Sequence, residues 1–211
     1  SNGDKNIIVT RDIIYTCQVN DVGSYWITLG SGEKTLNLNG KSVELNAETG
    51  VETTMIRVPN GASLVINDTS GDNSGKLFCY GKMTSPRDGE GIPRYFNEEV
   101  KHRNVLEVDG GAVTINGGTF KNVDALGQFD PYLFTYEEDG KLIINGGTFF
   151  GGWRFNGANT STEIYGGDFT VSFDGQSFHA NSTHTMTVYG GDFTPNSAYP
   201  NHSLAHKLDS V

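Results

Sequence analysis

The chain has 211 residues, with 15 Lys and Arg against 25 Asp and Glu, for a formal net charge of −10. That balance disfavours a phosphate-tracking nucleic-acid partner, which needs clustered cations, and adsorption to an anionic membrane surface. No apolar run reaches the ~18 residues of a membrane-crossing helix; glycine is abundant at 28 residues and proline sparse at 6, without a collagen period.

Residues 1–24 open with two short strand-like runs, Ile7-Ile8-Val9 and Ile13-Ile14-Tyr15, and are expected to form an N-terminal cap. No signal peptide is visible. Ser1-Asn2-Gly3 reads as a tag remnant on a trimmed chain, so the missing leader does not oppose export. Coils are expected from residue 25 onward. Leu36-Asn37-Leu38-Asn39-Gly40 and Leu64-Val65-Ile66-Asn67-Asp68 each show an apolar alternation running into a bend. Between them, Ile56-Arg57-Val58 is a strand joined to the next by the turn Pro59-Asn60-Gly61.

The pattern then breaks. The stretch 82–103, with Pro86, Asp88, Glu90, Pro93 and Tyr95, is the least repetitive of the interior and is expected to be an extruded loop. The long step from 68 to 117 therefore hides a coil or carries an insertion. Leu106-Glu107-Val108 resumes the pattern, and Val113-Thr114-Ile115-Asn116-Gly117-Gly118-Thr119-Phe120 gives the full phrase. It recurs after Phe134-Thr135-Tyr136 as Leu142 to Phe149, after Trp153-Arg154-Phe155 as Thr162 to Phe169, and lastly as Met186 to Phe193. Residues 195–211, with Pro195, Pro200 and His202, form an irregular cap or tail.

Aligned on the first glycine, the bends fall at 40, 68, 117, 146, 166 and 190, and most units run about 20 to 30 residues. Each unit reads as strand, turn, strand, glycine bend, strand. No helix-period stretch separates the strands, which excludes crossover βα folds. A coil that stacks on itself, with like strands paired in parallel about 4.8 Å apart, buries every strand. The predicted architecture is thus an all-β, single-domain parallel β-helix of about 6 to 8 coils over residues 25–194. Stacking places Phe120, Phe149, Phe169 and Phe193 in an internal column, with Val43 in the matching slot near the start. Asn39, Asn67, Asn116 and Asn145 form an amide column at the bend, continued by Tyr165 and Tyr189.

The pattern resembles right-handed parallel β-helix proteins of the pectate-lyase-like superfamily. More closely, it resembles the I-x-G-G-x-F repeats of bacterial surface and proposed carbohydrate-binding proteins. The match runs through Thr35–Lys41, the G-A-S-L-V-I-N-D-T-S-G stretch of Gly61–Gly71 and the G-G-A-V-T-I-N-G-G-T-F stretch of Gly110–Phe120, within residues 25 to 194. The resemblance implies a right-handed winding. It says little of function, because the matching residues build the fold.

Polysaccharide-cleaving β-helices need clustered carboxylates, or calcium-binding acids with an arginine base. The galacturonase-like signatures N-T-D, D-D, G-H-G and R-I-K do not occur, nor does W-I-D-H of pectate lyases. Arg57, Glu107, Thr135 and Arg154 occupy equivalent outward positions and form a candidate polar column, extended by His179. With Asp88 and Glu90 of the loop they line a candidate groove. Catalytic candidates are therefore Asp88, Glu90, Glu107, Arg154 and His179. Ligand-binding candidates are Arg57, Glu107, Tyr95, Trp153 and Arg154; an exposed Tyr or Trp stacks on a sugar ring, although Trp153 alternates with Phe155 as a core residue does. The five histidines show no metal-ligand spacing, so no metal is expected, with calcium bridging to an acidic polysaccharide the one cofactor the acidic balance admits. Cys17 and Cys79 either pair, as in exported proteins, or stand apart as buried thiols.

These features favour a non-catalytic extracellular or cell-surface module, glycan-binding or adhesin-like, whose partner is a polysaccharide or cell-surface glycan. Two alternatives stay open: a polysaccharide lyase or glycoside hydrolase, and a phage tail-fibre or spike segment.

Overall fold

A computed structural model describes residues 5–17, 24–47, 53–81, 103–124, 133–155, 157–172 and 183–194. All regular structure among them is β, in eighteen strands. No helix among them is long and apolar enough to cross a membrane.

The strands form three parallel ladders. The first stacks β1 (Asn6–Ile8), β4 (Gly32–Asn37), β7 (Ala62–Asn67), β10 (Ala112–Ile115), β13 (Lys141–Ile144), β15 (Thr160–Ile164) and β17 (His184–Val188). The second stacks β2 (Ile13–Cys17), β5 (Ser42–Ala47), β8 (Lys76–Gly81), β11 (Thr119–Asp124), β14 (Thr148–Phe155), β16 (Asp168–Ser172) and β18 (Asp192–Phe193). The third stacks β3 (Ser24–Thr28), β6 (Thr53–Pro59), β9 (Arg103–Asp109), β12 (Phe134–Tyr136) and the C-terminal part of β14. Early strands pair with the strand three further on, so the chain winds through all three ladders before adding a rung. This is a solenoid-like arrangement of parallel β-structure.

The glycine pairs make the bend between the first and second ladders. Their second members, Gly118, Gly147, Gly167 and Gly191, all adopt positive φ, which costs glycine nothing and an L side chain much. They also stack closely: a Cβ on Gly167 would lie 2.9 Å from the Gly147 carbonyl oxygen. After the bend the phenylalanines form the internal column the repeat predicts. Phe120–Phe149, Phe149–Phe169 and Phe169–Phe193 stack at 5.1, 4.8 and 4.7 Å. Val43 holds the same column through Leu77.

The apolar positions before the bend also stack in register, with Leu64, Val113, Leu142 and Thr162 in one column. Thr162 is polar for a reason: its hydroxyl sits 2.7 Å from the buried Tyr136 hydroxyl, contributed by the third ladder. A buried phenol needs such a partner.

The register refines three expectations. Within the stretch expected to cap the coils, β1 and β2 pair in parallel with β4 and β5 and form a rung of the solenoid. Of the two alternatives for the step from 68 to 117, the insertion holds rather than the extra coil: β7 pairs directly with β10, Ile66 opposite Ile115, and most of the insertion at 82–103 lies outside the described residues. The amide column does not include Asn39. Register places Asn37 opposite Asn67, and Leu38 and Asn39 are two extra residues in the bend. Leu38 fills the core beneath it, fully buried, while Asn39 takes positive φ. The motif Leu-Asn-Leu-Asn-Gly hid the slip, because a shift of two preserves the inward–outward alternation.

Cys17 is opposite Ala47 on the first rung and Cys79 opposite Leu45 on the third. They are not joined to each other; two rungs, about 10 Å, exceed disulfide reach.

Candidate functional site

Among the described residues, two outward surfaces stand out for their chemistry. The one anticipated from sequence lies on the third ladder. Arg57 pairs with Glu107, Glu107 with Thr135 and Thr135 with Arg154, so the predicted column exists in register. Asp88, Glu90, Tyr95 and His179 lie outside the described residues, as does the side chain of Arg154.

The column is not an open groove. Glu107 and Thr135 are buried. Arg57 Nε lies 3.3 Å from Glu107 Oε1, and Arg57 also donates through Nε at 3.1 Å and through Nη2 to Asp109 Oδ2. The guanidinium rests on the Tyr25 ring, Cζ to centroid 4.6 Å, within cation–π range. Burial pushes the Glu107 carboxyl above its usual range; its hydrogen bond to Tyr25 and the charge of Arg57 oppose this, and Glu137 and Asp109 add to it. Tyr25 is raised in turn, first by burial and then by Glu107.

A carboxyl pushed toward its protonated form has the right chemistry for a general acid. Here it faces Arg57 on the adjacent rung and Tyr25 one rung further rather than solvent, its side chain only 11% exposed. Asp109, the last residue of β9, which sequence reasoning passed over, is engaged by the same arginine. The group is an ion-pair clasp tying β3, β6 and β9 together.

Trp153, a candidate for stacking on sugars, is a core residue and cannot do so. It is fully buried and packs edge-on against Phe134 and Phe169 at 5.3 and 6.1 Å.

The second surface is the outer side of the first ladder. One residue beyond the buried Ile66, Ile115, Ile144 and Ile164, and beyond Val188 at the end of the ladder, the chain presents Asn67, Asn116, Asn145, Tyr165 and Tyr189. Asn116 Nδ2 donates to Asn67 Oδ1 at 2.8 Å and Asn145 Nδ2 to Asn116 Oδ1 at 2.7 Å. Asn37 is diverted: its Oδ1 accepts from the backbone N–H groups of Asn39 and Thr69. Tyr165 and Tyr189 continue the column with rings stacked at 4.6 Å, 48% and 64% exposed.

The next outward column holds Thr35, Val65, Thr114, Ile143, Glu163 and Thr187, in register. Glu163 accepts from the Tyr165 hydroxyl at 2.9 Å and pairs with Lys141 Nζ at 3.2 Å. Tyr165 and then Lys141 hold its carboxyl below the usual range. Sequence reading identified these tyrosines as ladder members but not as surface. The available signal was their place one step after an inward aliphatic residue.

Among the described residues no three His, Cys, Asp or Glu side chains gather as a metal site requires. Comparison with protein-family models, curated proteins and solved structures finds no match.

Proposed function

We propose that the chain is a non-catalytic, right-handed parallel β-helix module, exported and displayed outside the cell, that binds glycans. The observation that carries this reading is the outer side of the first ladder: a column of hydrogen-bonded amides running into two exposed, stacked tyrosines. Amides and phenols at fixed intervals suit a hydroxyl-rich polymer, and repeat scaffolds bind through such extended surfaces. The resemblance to surface proteins with I-x-G-G-x-F repeats supports the same reading. The burial and internal pairing of Glu107 weigh against the hydrolase alternative, since a general acid must reach its substrate.

A glycan array probed with the folded, labelled chain tests this, with a cell-adhesion assay beside it. Binding to a structurally related set of glycans is the expected result. A blank array together with a blank adhesion assay overturns the reading.

A further inference from the structure

The amide column has unspent hydrogen-bonding capacity. A side-chain amide offers two N–H donors and an acceptor oxygen with two lone pairs. Asn116 uses one donor toward Asn67 and one lone pair toward Asn145. One donor and one acceptor position remain outside the ladder and repeat with the rung spacing of about 4.8 Å. That spacing is close to the length of one sugar in an extended β-1,4-linked chain.

Charge narrows the ligand further. The two outward columns together offer twelve positions, from Asn37 to Tyr189 and from Thr35 to Thr187, and Glu163 is the one charged residue among them. Lys141 pairs with it. The chain as a whole carries 40 charged residues in 211 and a net −10, so the neutrality of this strip is local. An anionic polymer finds no cationic row here and meets the repulsion of the whole molecule. The tyrosines fit the same geometry. Their rings stack on each other along the column, so they present edges outward; the Tyr165 hydroxyl donates to Glu163 and keeps its acceptor lone pairs.

We infer that this face binds a neutral, linear polysaccharide lying along the solenoid axis, one sugar per rung, hydrogen-bonded by the column from Asn67 to Tyr189. This rests on the glycan-binding reading above and adds the ligand's charge, shape and direction.

Calorimetric titration tests it, with cello- and chito-oligosaccharides from disaccharide to hexasaccharide and with oligogalacturonides as the anionic probe. Affinity is expected to rise with each sugar to the pentasaccharide, one for each of the five column residues, and then level. Oligogalacturonides of equal length should bind at least about tenfold more weakly. Asn116→Ala, which removes the central amide, and Thr114→Lys, which leaves the ladder intact and places a charge beside it, should each weaken the pentasaccharide about tenfold. Lys121→Ala on the second ladder should change nothing, and thermal melts of each variant establish that it folds.

If the neutral oligosaccharides bind but both face variants bind like the parent, the axial site is overturned and the glycan module stands. The axial site falls in the same way if oligogalacturonides bind best, or if the array returns only branched or charged glycans. If neither titration nor array detects any glycan, both readings fall. Binding of a protein partner to this face, abolished by Thr114→Lys with no glycan bound, replaces them.

Discussion

The outer sides of the first and third ladders are built by the same winding chain, yet they use their polar groups in opposite ways. On the third, Arg57, Glu107, Asp109 and Tyr25 satisfy one another, two of them raised in pKa by burial. On the first, the amides bond along the column and keep capacity to spare. The difference follows from sequence spacing. The third ladder receives the chain after its longest connection, residues 82–102. The first ladder is entered by short turns such as Asn60-Gly61 and Asp109-Gly110-Gly111, which deliver one equivalent residue per rung. Regular delivery leaves a repeating surface, whereas mixed charges facing one another across rungs become a clasp.

Substitutions separate the two sides, and the largest effect belongs to the core they share. Phe149→Ala removes the ring between Phe120 and Phe169, and should cost about 4 kcal/mol, read by urea unfolding. A loss below about 1 kcal/mol contradicts the phenylalanine column as a common support. Gly167→Ala combines a φ of +123° with a contact at 2.9 Å to a carbonyl oxygen, and should cost about 3 kcal/mol. The same change at Gly61, which has positive φ but open space around it, should cost about 1 kcal/mol. Equal losses mean that backbone conformation alone sets the requirement.

Arg57→Ala leaves Glu107 buried without its cation and should cost about 2 kcal/mol; Arg57→Ala with Glu107→Leu should recover most of it. Glycan binding should be untouched in both. Asn145→Ala on the exposed column should cost less than about 1 kcal/mol while reducing binding, the reverse split.

Acid should also act on the two ladders with opposite signs. His184, on the inner side of the last strand of the first ladder against the buried Tyr136 and Thr160, is pushed down to about 4 by burial. Its neutral form belongs to the folded state, so stability falls as pH drops from about 6.5 toward 4, by about 2 kcal/mol after allowing for partial solvent contact. His184→Gln should flatten this limb. Glu107 is raised instead, so its contribution is fully present below its unfolded pKa and is lost as pH rises through the folded one. Glu107→Gln should therefore stabilise the chain near neutral pH. Thermal melts from pH 4 to 8 distinguish the two.

Much of this was legible from the residues. Period-two alternation and the glycine bends specify the strands, the phenylalanine column and even the register of Arg57, Glu107, Thr135 and Arg154. Alternation gives the side on which a residue stands but not its depth, so it does not reveal that Glu107 is closed off from solvent. Depth depends on partners from other rungs: Asp109 reaches Arg57 across 52 residues of sequence, and nothing local announces it. The slip at Asn39 has a different origin. A two-residue insertion preserves alternation, and only the pairing of Asn37 with Asn67 reveals it.

The shortest rung is a self-contained module. From Ile144 to Ile164 the chain advances one rung in twenty residues, and β14 serves two ladders by bending at Gly151 and Gly152. Such a unit begins and ends at the same point of the coil. Duplicating it in frame lengthens the molecule without disturbing the rungs on either side, and deleting it shortens the molecule as cleanly. In a chain built this way, length can change in whole steps without repacking the rungs that remain.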